Sequence, residues 1–417
     1  MAQSPAAARD GFGADLRAAL QVADSALVKR TSAARNAIFQ DWAAYCASLG
    51  KHPSLSDVPL HETKISYLLV YAMRRRNRPT SQTGKPLRAG TVEDALLAVG
   101  QGIAALGVPD PRKEVPGSQR NHPLLTSFLR ALSTQDDPAS RAYPANITIL
   151  RQLEHTLDTN HDLHGAANCH ARDLCVVGFY WLLRPAEYLH TAAEGRSQAF
   201  RLADIHFTVD ATTTYVASDP SLNDLDVSRI SRATLTFNDQ KNAVRGEKIS
   251  HAATDDPTLC PCKALARICA HLRTNHAPPA TPIHTYYDGL SQPQHATPTL
   301  ISNALRHAAT DVRAVTGIDP SLLSSRSLRP GGATALLCVD VDPETIQLLG
   351  RWKSDAMLRY LRVAAHANHT NFAQRMLTTG AYTFAPNTCT AAHIQPLPVE
   401  TPAAFITALQ RAELYQP

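Results

Sequence analysis

Arg326-Ser327-Leu328-Arg329-Pro330-Gly331-Gly332-Ala333-Thr334 is followed closely by Gly350-Arg351-Trp352-Lys353-Ser354-Asp355, and then by Tyr360. Pro330 suits the first turn of a helix, and Gly331 and Gly332 let a neighbouring backbone approach closely. Apolar spacing predicts helices over 331–338 and 343–350, so Arg329 and Arg351 stand at helix ends rather than along a solvated face. Several guanidinium groups therefore lie within reach of one tyrosine. Such a set suits holding a phosphodiester while a phenolic oxygen attacks its phosphorus.

Two upstream segments add to this set. Trp181-Leu182-Leu183-Arg184-Pro185-Ala186-Glu187 runs an apolar helix into an arginine, with a carboxylate three residues on. Phe237-Asn238-Asp239-Gln240-Lys241-Asn242 places a lysine after a strand-like run, at the tip of a hairpin that Val244 to Ile249 would complete. The strands expected are Phe207–Val209, Ala233–Phe237 and Val244–Ile249. Helices are expected around 147–159, 168–183, 263–271 and 298–314. This half reads as mixed α and β with a small antiparallel sheet.

The first part of the chain reads as all helical. Apolar residues recur at helical spacing over 14–50, 60–76 and 124–132, and Thr91 is a candidate N-cap for a helix reaching Leu106. Ser133 to Pro144 is polar and proline-punctuated, the composition of a connector. The expected organisation is a helical domain over 1–132, a linker over 133–146, a mixed domain over 147–376 and a tail over 377–417. The fold class expected is α+β, mostly helical. A length of 417 residues fits two domains rather than one.

Composition narrows the class. The mean hydropathy of −0.21 and the lack of a twenty-residue apolar run argue against a membrane span. The N-terminus lacks the basic-then-apolar order of a signal peptide. The 8 cysteines are too scattered for a disulfide scaffold, which points to an intracellular protein, nuclear in a eukaryote. The net charge of +5 is only mildly basic. It is unevenly spread, with Arg74, Arg75, Arg76 and Arg78 in one knot, a candidate contact for a nucleic-acid backbone.

The arginine boxes, the lysine and the tyrosine, taken in order, resemble the tyrosine recombinases, also called the phage-integrase family. The resemblance covers roughly 145–365. Its wording in Leu328–Ala335 and Gly350–Asp355 is similar to recombinases of eukaryotic mobile elements of the Crypton and DIRS-like kind. It implies Tyr360 as nucleophile, nine positions after Arg351. It also implies Arg184 and Arg329 as a phosphate clamp, and Lys241 as the acid that protonates the leaving 5′ oxygen. Lys248 and Lys263 are competitors for that last role. Glu187 would be a structural partner that fixes a basic group, and Trp352, adjacent to the slot of Arg351, would support the site. The helical first domain would clamp double-stranded DNA opposite the catalytic domain. The bond energy stays in a 3′-phosphotyrosyl link, so neither a metal nor another cofactor is implied. The working form implied is a homotetramer on paired sites, built from free monomers or dimers. The tail helix around Phe405–Leu414 would join neighbouring protomers.

This chain departs from the family pattern at two positions. Arg326 stands where a histidine is usual, and Arg351 where a histidine or tryptophan is usual. Arginine donates hydrogen bonds to phosphate but does not shuttle protons at neutral pH. Three readings follow: a DNA strand-exchange enzyme, a relative that binds DNA without cutting it, and a type IB topoisomerase. The dense set His155, His161, His164, Cys169 and His170, with Cys260 and Cys262, matches no zinc-ligand spacing.

Overall fold

The computed structural model describes residues 29–353 apart from 79–83, 116, 138–142, 159–164, 192–196, 224–225, 239–244, 289–291 and 340. Tyr360, Lys241, His161, His164 and the tail over 377–417 lie outside the described residues. Within them the chain is α+β and mainly helical, with two large hydrophobic cores and a small third one of Leu182, Ala333 and Ile346.

The first core is built by α1 (Lys29–Ser48), α2 (His61–Arg76), α3 (Ala89–Ala105) and α4 (Pro123–Thr134). Trp42 and Tyr45 of α1 meet Tyr71 of α2, with ring centroids 5.1 Å apart for Trp42–Tyr71 and 5.6 Å for Trp42–Tyr45. Ile65 and Leu68 follow at helical spacing and are fully buried, as are Val92, Val99 and Ile103 of α3. The third helix begins at Ala89, earlier than the Thr91 cap expected, with Arg88 at the N-cap position. Its first N–H is satisfied from afar, because Ala89 N donates to Asp136 Oδ2 at 2.8 Å. A distant carboxylate thus replaces the local hydroxyl that the sequence offered.

Asp136 also accepts from Arg76, so the stretch after α4, expected as connector, is tied to the first core as far as Asp136. From Tyr143 the chain belongs to the second body. Tyr143 N donates to Leu322 O at 3.2 Å, and Ala145 N to Ser327 O at 3.0 Å.

The second body contains α5 (Ile147–Asp158), α6 (Gly165–Tyr180), the short α7 (Pro185–Tyr188), α8 (Pro261–Thr274), α9 (Pro298–Asp311), α10 (Arg313–Thr316), α11 (Leu328–Cys338) and α12 (Pro343–Gly350). Its sheet has β1 (Ile205–Val209), β2 (Thr213–Val216), β3 (Ile230–Phe237) and β4 (Glu247–Ala252) in the order β2-β1-β3-β4, antiparallel throughout. Strand β3 alternates buried and outward residues along most of its length, the period of a half-buried strand. Ile205 pairs with Leu235 and Leu235 with Ile249, so one face of the sheet feeds the core. A second hairpin pairs β5 (Thr285–Tyr287) with β6 (Pro293–His295).

Two elements hold α11 against α6. A methyl group on Gly331 would overlap the Ala145 carbonyl, and one on Gly332 the Phe179 carbonyl. Tyr188, fully buried at the end of α7, donates its hydroxyl to Ser325 O at 3.0 Å just ahead of α11. Trp181 donates from Nε1 to Ile249 O at 3.0 Å, fixing the end of α6 to the sheet. The helix ends that carry Arg184, Arg329 and Arg351 are thereby set beside one another.

Candidate phosphodiester site

The site is built on two helix ends that terminate in the same way. After α6, Leu182 takes the left-handed conformation with φ 50°. Leu183 N then donates back to Gly178 O at 2.9 Å, and Leu182 N to Phe179 O at 3.3 Å. After α12, Arg351 is left-handed with φ 56° and ψ 44°. Trp352 N donates to Gln347 O at 3.0 Å, and Arg351 N to Leu348 O at 2.9 Å. Both are Schellman endings, usually closed by glycine. A residue with a Cβ costs roughly 1–2 kcal/mol in this conformation. In both cases the side chain is buried, and the cost is offset by packing at Leu182 and by packing and hydrogen bonds at Arg351.

Such endings leave carbonyls of the last turn pointing outward at the negative end of a helix. Two arginines occupy them. Arg329 donates from Nη1 to Leu182 O at 2.6 Å and from Nη2 to Gly350 O, bridging the two helix ends. Its guanidinium lies 4.1 Å from the centre of the Trp352 ring. Gly350 has to be glycine for this stack, since a Cβ there would run into the Trp352 indole.

Arg351 donates from Nη1 to Trp181 O at 3.2 Å and Leu349 O at 3.0 Å, and from Nη2 to Leu182 O at 3.2 Å. Its Cζ sits 3.8 Å from the centre of the Phe237 ring at the end of β3. Burial pulls the Arg351 guanidinium down to about 10, against the upward pull of Glu187, and leaves it cationic at neutral pH. Arg329 and Arg351 are each only 6% exposed.

Arg184 is different. It stands at the N-cap of α7, and its side chain is 24% exposed. Glu187 holds it twice: Arg184 N donates to Oε2 at 2.7 Å, and Nη1 to Oε1 at 2.9 Å. Glu187 also accepts from Arg351 Nη2 at 3.3 Å. Arg326 lies one turn before Arg329, in the 3-10 turn Ser325–Ser327, and is exposed to solvent.

The structure therefore brings Arg184, Glu187, Arg329, Arg351 and Trp352 together around residues 181–187. Arg326 is exposed and Arg184 partly so, while Arg329 and Arg351 spend hydrogen bonds on carbonyls. Arg184 and Arg351 both donate to Glu187, and Arg329 shares the Leu182 carbonyl with Arg351, so three guanidinium groups meet within one short stretch of chain. Lys241 falls within 239–244, outside the described residues.

Sequence reasoning missed Phe237 and the carbonyls of Trp181 and Leu182 as parts of this site. No residue type announces a carbonyl, since every residue has one. Only the positive φ at Leu182 and Arg351 exposes them, and neither leucine nor arginine signals it.

The basic knot of α2 is arranged differently. Arg75 and Arg78 both donate to Asp41, at 2.9 and 2.7 Å. Arg76 is buried and donates to Leu87 O at 2.6 Å and to Asp136. Burial pushes the Asp41 carboxyl up, but hydrogen bonds from Arg78, Tyr71 and Arg75 outweigh it and hold the group below its ordinary value. Arg74 is exposed and lies 5.2 Å from the centre of the Tyr45 ring.

The histidine and cysteine set does not converge among the described residues. His170 is buried and shares a 2.8 Å hydrogen bond with Ile283 O, Cys169 is exposed, and Cys262 donates to His251 O. No group of three metal-ligating side chains forms among the described residues. No described helix is long and apolar enough to cross a membrane.

No protein-family model and no curated protein matches the chain. Among solved structures, it is similar to the Tn1549 transposon integrase in complex with transposon right end DNA, at 12% identity and a TM-score of 0.42 over 76% of this chain and 85% of that one. It is also similar to XerA recombinase, at 12% identity and a TM-score of 0.32 over 87% of this chain and 97% of that one. A third is a lambda integrase dimer bound to a COC′ core site, at 14% identity and a TM-score of 0.35 over 78% of this chain and 96% of that one.

Proposed function

We propose that this chain is a tyrosine recombinase that breaks and rejoins DNA strands in the recombination of a mobile element. The observation that carries this reading is the convergence of Arg184, Arg329 and Arg351, far apart in sequence, on one cluster around residues 181–187.

The chemistry follows from the groups. A phosphodiester would meet the partly exposed Arg184 first, with Arg326 as a second, exposed cation. Arg329 adds positive charge from behind the loop, in a setting poor in water, where fixed charge is worth more. The Tyr360 oxygen attacks phosphorus, forming the new P–O bond as the bond to the 5′ oxygen breaks. Lys241 gives the leaving oxygen its proton. The product is a 3′-phosphotyrosyl link with a free 5′ hydroxyl, and the reverse attack by a 5′ hydroxyl reseals the strand. Paired sites would be held by four protomers, coupled through the tail after residue 376.

A second reading, DNA binding without cleavage, is favoured by the burial of Arg329 and Arg351. One experiment separates the two. Duplexes enriched by binding from a random pool are rebuilt with a scanning nick, so that the leaving fragment diffuses away. The cleavage reading expects a detergent-stable, protease-sensitive adduct that Tyr360→Phe abolishes while DNA affinity stays within several-fold. An adduct-free wild-type protein that still binds these duplexes supports the second reading.

A further inference from the structure

Glu187 is 1% exposed, and a carboxylate in that position needs its charge matched. Two arginines match it from different elements. Arg184 comes from the start of its own helix at 2.9 Å, and Arg351 from the turn after α12 at 3.3 Å. Arg351 is the more deeply buried, with a side chain 3% exposed against 24% for Arg184. It is enclosed by the Phe237 ring and by the carbonyls of Trp181, Leu182 and Leu349. A guanidinium committed to three carbonyls and a carboxylate is fixed in place and points its fork at protein.

We propose that Arg351 acts as a positioning residue rather than as a phosphate ligand: it pins Glu187, which in turn holds the Arg184 guanidinium toward the phosphodiester. The idea rests on the strand-cleavage reading above. It gives the unusual arginine at this position a role that needs no proton transfer. Planar, multi-donor geometry is what lets one side chain satisfy a carboxylate and three carbonyls together. Lysine would make the ion pair but lose most of the carbonyl contacts.

The distinguishing signature is coupling. If Arg351 works through Glu187, losing Arg351 should matter little once Glu187 has already been neutralised. Without Arg351, Glu187 keeps Arg184 as its facing cation and loses the contact that holds its other oxygen from across the cluster. The other charged groups nearby are Glu247 on β4, which acts on Arg351, and Asp204, which lines the same small cavity as Glu187.

Single-turnover cleavage of the nicked duplex by the full-length chain tests this. R351M should slow cleavage about a hundredfold, the scale for losing one preorganised donor, while DNA affinity stays within about threefold. R351K should recover part of the rate. In an E187Q background, adding R351M should slow cleavage by no more than about threefold. Losses that multiply would overturn the proposal in favour of direct phosphate contact. If R351M does not fold, the same cycle is run with R351K. If the wild-type chain makes no adduct, the cleavage reading fails separately. The positioning claim is then decided by 15N relaxation of Arg184 Nε. Ordering in the wild type that is lost in R351M supports it, and unchanged ordering overturns it.

Discussion

The knot at the end of α2 and the cluster around residues 181–187 are both arginine-rich, and they treat their charge in opposite ways. In the knot, carboxylates do the holding: Asp41 takes Arg75 and Arg78, and Asp136 takes Arg76. In the cluster, neutral carbonyls of Trp181, Leu182, Leu349 and Gly350 do most of it, with Glu187 as the single carboxylate contact. Ion pairing cancels charge, whereas carbonyl binding localises it. The density of arginine in a sequence therefore says little about field strength. What the arginines are bonded to decides which surface attracts an anion.

Removing Arg329 should separate the two regions most sharply. Arg329→Ala strips the link between two helix ends, leaving the Gly350 carbonyl without this donor and the Leu182 carbonyl with Arg351 alone. Cleavage should fall about a hundredfold or more, with about 3 kcal/mol lost from stability in chemical denaturation. Arg329→Lys should rescue poorly, because an ammonium cannot span two carbonyls and stack on Trp352 at once. Full cleavage by the lysine variant would remove Arg329 from the account.

Acid should act on the two bodies in sequence. His170, His251 and His284 all lie in the second body, where burial pulls them to about 4, 4 and 3. Unfolding lets each take a proton at its ordinary value near 6.5, so the second body loses stability as pH falls from about 6.5 to about 4. The loss amounts to about 1.4 kcal/mol per pH unit for each group. The knot depends on Asp41 and Asp136, whose carboxyls are held by hydrogen bonds from arginines below their ordinary value of 3.8. Its stabilisation is present above that value and is lost only as pH falls through the lowered ones. Urea unfolding of a Trp42→Phe variant, whose remaining tryptophans report on the second body, should show the earlier decline. A flat midpoint between pH 6.5 and 4.5 would contradict it.

Gly350→Ala tests the Trp352 stack alone. The added methyl forces the indole away from Arg329 and should cost about 1–3 kcal/mol in thermal or urea unfolding. The smallest effect is expected at the knot. Asp41→Asn should release Arg75 and Arg78, raising DNA affinity a few-fold and steepening its salt dependence by about one to two phosphate contacts. Arg74→Ala should lower that slope by about one. If Asp41→Asn leaves the slope unchanged, the released arginines do not face DNA.

Much of this was legible in the sequence. The helices at 61–76, 123–134 and 343–350 follow apolar periodicity, and β3 follows alternation. The Arg184, Arg329 and Arg351 boxes were picked out by their resemblance to the motifs of the tyrosine recombinases, with an apolar run leading into Arg184 and glycines beside Arg329 and Arg351. Strand β2 was missed because Thr213–Val216 is a largely exposed edge, with no buried alternation to read. The start of α3 was misplaced because Asp136, far along the chain, does the work that a local cap would signal. The burial of Arg76 and the roles of Asp41 and Asp136 were hidden for the same reason. Partners brought in by tertiary structure leave no local mark.

The central claim is that the cluster serves attack by Tyr360 on a DNA phosphorus. Tyr188 offers no rival among the described residues, since it is fully buried with its hydroxyl bonded to Ser325 O. The most direct measurement is mass spectrometry of the adduct trapped on nicked DNA, after digestion with nuclease and protease. The account predicts one nucleotide-bearing peptide, with the phosphate on Tyr360. A modified peptide containing Tyr382 or any other residue, or no modified peptide at all, would contradict it.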